Sequence, residues 1–338
     1  MSDDENQYAQ YNDSNRAFLQ AIMARGALTL KDARPILAAI FTAHEGTETA
    51  ENDVTEADLL SYVAAANDAI SSFDLEIRSM LSQVDRTRIW ALVNTTSDPM
   101  TQLATTHSAD EISYLKRLLD AMFEVRNTPR REVMAITEMD AVRLHKNPSE
   151  SQVNNTQGGG ATQGSAGKGL TMTDAERTIK GFVEEGWFEK SPNSFYTLSP
   201  RALMELKHYL INTYNGTGDD EDDDGERVER IKNCYACKEL ITVGRRCPTR
   251  ECAVRVHDMC TENLFRALRE RKCPTCKVDW VGENYVGERA VTTTEAWLKG
   301  RRRSNSGPRP GGGQQRNTQQ AVEEEETDEE GEEEWEGR

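Results

Sequence analysis

Cysteine is absent from this 338-residue sequence except between Cys234 and Cys276, where all seven cysteines lie. Seven cysteines cannot all pair as disulfides. The first residues, Met1–Gln7, also have neither the positive charge nor the apolar core of a secretory signal. An oxidising compartment is therefore not expected. No apolar run approaches 18 residues, so no membrane span is predicted.

Basic residues are too few to balance the acids, and the net charge is −17. The excess is confined to two acidic runs, Asp219–Glu226 and Glu323–Arg338. Residues 147–169, which are mostly Asn, Gln, Gly and Ser, contain almost no apolar side chain. Because such segments cannot build a core, we expect a flexible insertion at 147–169, an acidic linker at 217–226 and a disordered tail at 283–338. Partner binding by the acidic runs is the alternative interpretation.

The stretch that does contain cysteine carries an ordered array of eight candidate zinc ligands. They form four pairs, each close enough in sequence to grip one ion: Cys234 and Cys237, Cys247 and Cys252, His257 and Cys260, Cys273 and Cys276. Zinc takes four thiolate or imidazole ligands in a tetrahedron, and a closed shell of four is structural because no position is left for a reacting water. Two structural zinc ions are therefore predicted. A thioredoxin-like interpretation of one Cys-x-x-Cys would leave the other five cysteines unexplained.

The spacing of the pairs also predicts how they interleave. The stretch between Cys260 and Cys273 is too long for one knuckle and has helical periodicity over Thr261–Arg271, with Leu264, Phe265 and Leu268 on one face. The compact solution is a cross-brace, in which the first and third pairs bind one ion and the second and fourth bind the other. Site one is then Cys234, Cys237, His257 and Cys260, and site two is Cys247, Cys252, Cys273 and Cys276.

The N-terminal part shows a winged-helix pattern, three short helices followed by a strand pair. Helix starts are predicted at Ser14, Thr29 and Thr55, each followed by apolar residues at steps of three and four. Two strands are predicted near Leu75–Ile77 and over Arg88–Val93.

A second copy of this pattern follows. It begins at Ser108–Glu111, has a helix starting at Thr173–Glu176 and a hairpin over 187–198, and ends in a helix capped by Ser199–Pro200. The segment 147–169 is thus predicted to be an insertion inside the second winged helix and not a domain boundary.

The order of four cysteines, one histidine and three cysteines resembles a variant RING finger. A plant homeodomain finger has the same order but usually carries Trp two residues before the seventh ligand, where this sequence has Arg271. Proline directly after the seventh ligand, here Pro274, is typical of RING fingers, and we favour that interpretation.

Combined with tandem winged helices, the array is similar to non-SMC element one, the variant-RING subunit of the SMC five-six (structural maintenance of chromosomes) complex. Besides the ligands, the resemblance rests on Asn94–Asp98, Glu184–Phe188 and Phe195–Pro200, and it runs from about residue 15 to 280. It implies an α+β multidomain fold of tandem winged-helix domains, a cross-brace RING-type zinc finger and a disordered acidic tail. The expected boundaries are 10–106 and 107–216 for the winged helices, 217–226 for the acidic linker, 227–282 for the RING and 283–338 for the tail.

The resemblance implies a RING-type ubiquitin ligase acting in DNA repair by homologous recombination and in chromosome maintenance. Such a ligase forms no covalent intermediate and works by orienting a ubiquitin-loaded conjugating enzyme. The implied conjugating-enzyme contacts are Tyr235, Ala236, Leu264, Pro274 and Lys277. Because Ala236 and Leu264 are smaller than is usual there, docking is expected to be weaker by about 1–3 kcal/mol. The alternative is a non-catalytic scaffold whose RING and winged helices mediate assembly or DNA association.

The implied partners are a MAGE-domain subunit, a kleisin subunit and a ubiquitin-conjugating enzyme, and the implied location is the nucleus and chromosome. Lys299–Arg303 has the composition of a nuclear-import signal, or else of a solvated basic linker. Four aromatic residues, beyond what two small cores obviously need, favour docking of the winged helices onto protein, with burial in the core as the alternative: Phe18, Trp90, Trp187 and Phe188.

The charges of the predicted recognition helices lead to a testable expectation about DNA. The helix over 55–73 carries three acids and no Lys or Arg, and in the second copy Arg177 and Lys180 are offset by neighbouring acids. Since cations supply most of the affinity for phosphates, duplex DNA should bind weakly, with affinity collapsing between low and physiological salt. Fluorescence anisotropy over a salt series tests this. Sub-micromolar, sequence-selective binding at physiological salt would contradict it.

Overall fold

Three small antiparallel sheets organise the chain. The computed structural model describes residues 11–95, 99–146, 169–216, 229–282 and 284–305. Each sheet has three strands; in the first two sheets the third strand in chain order lies in the middle, and in the third sheet the first strand does. Across these ranges no helix is long and apolar enough to cross a membrane. The acidic linker and nearly all of the insertion expected at 147–169 lie outside the described residues.

The first unit, residues 11–95, packs three helices against one sheet. Its elements are α1 (Asp13–Arg25), β1 (Ala27–Thr29), α2 (Leu30–Glu45), α3 (Glu56–Ile70), β2 (Leu75–Leu81) and β3 (Arg88–Asn94). The predicted helix starts at Thr29 and Thr55 are confirmed, because each threonine forms a capping box with the aspartate three residues on. The start predicted at Ser14 is two residues late, because the capping residue is Asn12. The side chain of Asn12 accepts from the N–H groups of Ser14 and Asn15, and the helix begins at Asp13.

The second unit, residues 99–216, surrounds the next sheet with helices. Its elements are α4 (Pro99–Leu103), α5 (Ala109–Asp120), a π-turn (Ala121–Val125), β4 (Ile136–Thr137), α6 (Glu138–Arg143), α7 (Met172–Glu184), β5 (Phe188–Lys190), β6 (Phe195–Leu198), α8 (Pro200–Glu205) and α9 (Lys207–Tyr214). Capping by Ser108 and Ser199 is confirmed. The start predicted at Thr173 is wrong, because the Thr171 hydroxyl caps the helix by accepting from the Asp174 N–H at 3.1 Å.

The four aromatic residues with which the sequence favours protein docking are all buried in the cores of these units. Phe18, Trp90 and Phe188 are at most 1% exposed, and Trp187 is 7% exposed. That inference from surplus aromatics is therefore wrong. The small cores use these side chains themselves, and none of the four offers a surface to a partner.

Helix α8 packs against the sheet of the first unit, and Arg201 lies at that junction. Its guanidinium lies 4.8 Å from the ring centroid of Trp187, and its Nη1 donates to the Glu185 carbonyl at 2.7 Å. A Cβ atom added at Gly26, which has φ +72°, would lie 2.5 Å from Arg201 Nη1. Glycine at position 26 therefore allows the positive φ at the helix end and leaves room for the Arg201 guanidinium.

The zinc module, residues 229–282, contains β7 (Gly244–Arg246), β8 (Arg255–Val256) and α10 (Asp258–Leu268). Helix α10 begins three residues before the predicted start, because the N–H groups of Cys260 and Thr261 already bond to the His257 carbonyl. Two hydrogen bonds join the end of the second unit to the start of the zinc module. The Asn215 side chain donates to the Ile231 carbonyl and accepts from the Ile231 N–H.

The strap, residues 284–305, corrects the expectation that the tail begins at 283. It forms β9 (Tyr285–Val286), α11 (Arg289–Thr292) and α12 (Glu295–Asn305). Strand β9 pairs with β7, and the Trp297 ring lies 5.3 Å from the ring of Phe195 in the second unit. The sequence does not reveal this order because the few apolar residues of the strap are buried only against the neighbouring units. The basic stretch 299–303 lies in α12, and residues 306–338 lie outside the described part.

Candidate functional site

The eight candidate zinc ligands form the two predicted groups. In each group the candidate ligand atoms all lie within 4.8 Å of one another, and the groups are Cys234, Cys237, His257 and Cys260, and Cys247, Cys252, Cys273 and Cys276. The Sγ atoms of Cys247 and Cys276 lie 3.4 Å apart, and those of Cys252 and Cys273 lie 3.6 Å apart. Zinc–sulfur bonds of about 2.3 Å in a tetrahedron imply an S–S separation of about 3.8 Å. The donor set therefore fits two zinc ions.

Two matching knuckles bring their cysteines together in the same way. The Lys238 N–H donates to the Cys234 carbonyl at 2.9 Å, and the Lys277 N–H donates to the Cys273 carbonyl at 3.1 Å. Both lysines follow the second cysteine of a Cys-x-x-Cys and adopt positive φ, +65° and +62°. The left-handed residue closes each turn, so that both thiols of the pair can reach one ion.

The surroundings of some candidate ligands favour the tautomer or the charge state that binds zinc. His257 is 1% exposed; its Nε2 lies 3.3 Å from the Leu240 carbonyl oxygen, while its Nδ1 lies 3.3 Å from Cys237 Sγ. A backbone acceptor at Nε2 favours the tautomer that leaves Nδ1 free to ligate. The Val278 N–H lowers the pKa of the Cys276 thiol to about 6, whereas burial raises the pKa of Cys247 to about 12. The thiolate at Cys247 therefore depends on the charge of the ion.

The predicted conjugating-enzyme contacts lie on the two knuckles and α10. Tyr235 is 40% exposed, with Lys238 Nζ 4.5 Å from its ring centroid. Ala236 and Lys277 are also exposed, while Leu264 and Pro274 are half-buried. On α10, Phe265 is buried edge-on against Trp280, with ring centroids 5.5 Å apart, and this contact fixes the helix that carries Leu264.

Glu132, which no sequence pattern marks, binds Arg255 in the segment between the ligands Cys252 and His257. Its carboxylate is 2% exposed and accepts from Arg255 Nε at 2.5 Å, Arg255 Nη2 at 2.6 Å and Lys232 Nζ at 2.6 Å. Burial raises the pKa of Glu132, but the hydrogen bonds and charges of Arg255 and Lys232 outweigh it and hold that pKa below its ordinary value. The pair therefore contributes stability above the ordinary pKa of glutamate, and this contribution is lost as the pH falls through the lower folded-state value.

Gln83, also unmarked in the sequence, contacts the backbone beside site one. It occupies the turn between β2 and β3 of the first unit and is 7% exposed. Its amide bonds to the backbone of the zinc module at Leu240, Thr242 and Val243. The only sequence signal for Gln83 is a polar residue in a predicted hairpin turn, which is normally a solvated position.

Comparison with known proteins gives two family-model matches and several relatives. The family model for the Nse1 non-SMC component of the SMC5-6 complex matches residues 15–206, and that for a RING-like domain matches residues 234–276. The non-structural maintenance of chromosomes element 1 homolog of Homo sapiens is 22% identical over 271 residues, covering 80% of this chain and 85% of the relative. That of Schizosaccharomyces pombe is 20% identical over 276 residues, covering 82% and 95%.

A solved structure shows the same fold. The match is to a chain of an Nse1-Nse3-Nse4 complex, with a TM-score of 0.59 and 21% identity, covering 80% of this chain and 98% of that chain. The similarity therefore extends beyond the zinc module to the helical units upstream of it.

The two four-ligand groups predict the metal content. The chain should hold two tightly bound zinc ions, and Cys247→Ser or Cys273→Ser should unfold the zinc module, because binding free energy at such sites is folding free energy. Native mass spectrometry gives the stoichiometry, and amide hydrogen exchange gives the state of the module. One zinc per wild-type chain, or none, would contradict the cross-brace.

Proposed function

Because this chain belongs to the family of the Nse1 non-SMC component of the SMC5-6 complex, we propose that it is a RING-type ubiquitin ligase subunit of such a complex. The supporting observations are the two zinc groups and the accessibility of the implied conjugating-enzyme positions: Tyr235, Ala236 and Lys277 are exposed, and Leu264 and Pro274 are half-buried. Exposed and half-buried residues at these positions suit docking of a ubiquitin-loaded conjugating enzyme. The proposed setting is DNA repair by homologous recombination and chromosome maintenance, in the nucleus.

The proposed catalysis is by orientation and not by covalent chemistry. All seven cysteines of the sequence belong to the two zinc groups, so none remains to form a thioester with ubiquitin. Closed zinc shells also leave no position for an activated water. When bound, zinc supplies the rigidity of the knuckles, and the chain contributes by holding enzyme and ubiquitin in a reactive geometry.

Lys277 is the proposed link between the conjugating enzyme and ubiquitin. It is exposed, follows the last ligand directly and is held at φ +62° by the knuckle. A fixed backbone with a flexible ammonium group at its end allows the side chain to donate to both proteins. The smaller Ala236 and Leu264 reduce the apolar area available for docking, so we propose that activity is weak without a partner subunit.

Substitution of Lys277 tests the ligase. Lys277→Ala should slow discharge of ubiquitin from a loaded conjugating enzyme by about tenfold, since a hydrogen bond to a charged group is worth about 1.5–3 kcal/mol. Lys277→Arg keeps the charge and the backbone preference and should retain most of the rate. Both variants should still bind two zinc ions.

The non-catalytic scaffold has a distinct outcome in the same assay. The wild-type protein, together with its partner subunits, is tested with a panel of loaded conjugating enzymes. If it accelerates ubiquitin discharge from none of them, the scaffold should replace the ligase as the function. The two zinc groups would then serve assembly alone.

We also propose that the first two units are tandem winged-helix domains, with bounds 10–106 and 107–216. These domains bind a MAGE subunit that corresponds to Nse3, in an assembly that also contains a kleisin corresponding to Nse4. The order of three helices and a hairpin in the first unit supports this assignment. Exposed apolar side chains of that unit supply contact area in place of the buried aromatics: Met23 at 56%, Leu60 at 48% and Phe73 at 70%.

Co-purification tests the partner. Residues 10–216 should form a stable one-to-one complex with the MAGE subunit, and truncation of the full chain after Asn305 should leave that complex intact. Light scattering gives the stoichiometry. Binding that needs only the zinc module, or a monodisperse homodimer indifferent to the MAGE subunit, would contradict the assignment.

A further inference from the structure

The turn between β2 and β3 of the first unit forms hydrogen bonds with the backbone of the zinc module beside zinc site one. The Gln83 Oε1 accepts from the N–H groups of Thr242 at 3.0 Å and Val243 at 2.9 Å, and its Nε2 donates to the Leu240 carbonyl at 3.0 Å. The amide of Gln83 is therefore bonded on both its oxygen and its nitrogen, inside an interface where it is 7% exposed.

The same contacts lead directly to the ligands of site one. The Leu240 carbonyl that accepts from Gln83 also lies 3.3 Å from Nε2 of His257. Arg86, three residues after Gln83, donates to the carbonyl of Met259 at 2.7 Å, and Met259 directly precedes the ligand Cys260. The turn thus bonds to the Leu240 carbonyl beside the His257 ring and to the Met259 carbonyl two residues after His257.

Zinc site two is approached by a loop of the second unit, in which Glu132 binds Arg255 and also Lys232, two residues before the site-one ligand Cys234. Arg255, held by Glu132, donates through Nη1 to the carbonyl of the ligand Cys252 at 2.6 Å. Arg246, next to the ligand Cys247, donates to the carbonyl of Pro129 at 2.9 Å. Arg246 is 6% exposed and Arg255 is 1% exposed, so these contacts are shielded from water.

We infer that each upstream unit positions one zinc site: the turn 82–87 of the first unit positions site one, and the loop 127–132 of the second unit positions site two. Outer-shell groups fix ligand orientation, and the loss of one typically costs about 10–100-fold in metal affinity. Gln83 and Glu132 are positioning residues, because they act through Leu240 and Arg255 and contact no ligand atom themselves.

The separate attachments matter because the two sites carry different parts of the proposed conjugating-enzyme surface, a consequence that rests on the proposed ligase function. Tyr235 and Ala236 lie between two ligands of site one, while Pro274 lies between two ligands of site two and Lys277 follows the second of them. A partner that shifts the first unit would therefore move the first knuckle without touching the zinc module. The structure thus provides a route by which partner binding regulates the ligase.

Site-resolved cysteine alkylation tests the inference in the full-length, zinc-loaded protein. A chelator and N-ethylmaleimide are added together, and peptide mass spectrometry follows each cysteine as its zinc is released. Gln83→Met keeps the length of the side chain but removes its hydrogen bonds, and should speed labelling of Cys234, Cys237 and Cys260 about tenfold or more. Cysteines of site two should keep the wild-type rate.

The converse variant should act more strongly on site two, because the guanidinium of Arg255 bonds to the backbone of the ligand Cys252. Glu132→Gln leaves Arg255 and Lys232 without a counter-charge and should speed labelling at site two about tenfold or more. Glu132→Asp is the milder second variant if Glu132→Gln does not fold. Matched controls with exposed side chains in the same two segments, Val84→Ala and Arg131→Ala, should leave both sites at the wild-type rate.

The outcomes separate this inference from the proposed ligase function. Equal acceleration of both sites by either variant, or acceleration of neither, overturns the inference. Alkylation needs no conjugating enzyme, so a crossed pattern without ubiquitin discharge supports the positioning roles while removing the ligase. Discharge without the crossed pattern supports the ligase and overturns the positioning roles.

Discussion

The placement of the zinc module depends on the ion pairs that the buried carboxylate of Glu132 forms with Arg255 and Lys232. This carboxylate is taken out of water together with the guanidinium of Arg255, which costs several kcal/mol per ion unless every charge finds a well-placed partner. Here that requirement is met, because the two oxygens accept two hydrogen bonds from Arg255 and one from Lys232. The backbone of the same residue also accepts from the Gly287 N–H of the strap, at 2.8 Å. One loop residue thus joins the second unit, the zinc module and the strap.

The strap adds a second, more exposed set of charges at the start of α10. Asp258, in the first turn, bonds to both Arg245 and Arg289, and both guanidinium groups lie over the ring of Tyr285. A carboxylate in the first turn is favoured by the helix dipole. Asp258 directly follows the ligand His257, so the strap links this ligand's helix, through Arg289, to the second unit, through Trp297.

The features that sequence predicts are those that neighbouring residues specify by themselves. Capping boxes at Thr29, Thr55 and Ser108 need residues only three positions apart, and each zinc pair closes on one ion within one knuckle. Gln83 and Glu132 differ in kind, since their partners lie 100 or more positions away in sequence. A polar residue in a loop is ordinarily solvated, and only the assembled units show that these two are buried.

Three separate attachments make the position of the zinc module a property of the whole chain. They are the amide of Gln83, the carboxylate of Glu132 and the pairing of β9 with β7. The ligase function proposed above would gain from this arrangement, because catalysis by orientation is weakened when the orienting surface moves freely. Fixing the module against both helical units removes that freedom before any partner binds. The closed zinc shells hold each knuckle in shape, and the contacts with the upstream units determine the direction in which the knuckles point.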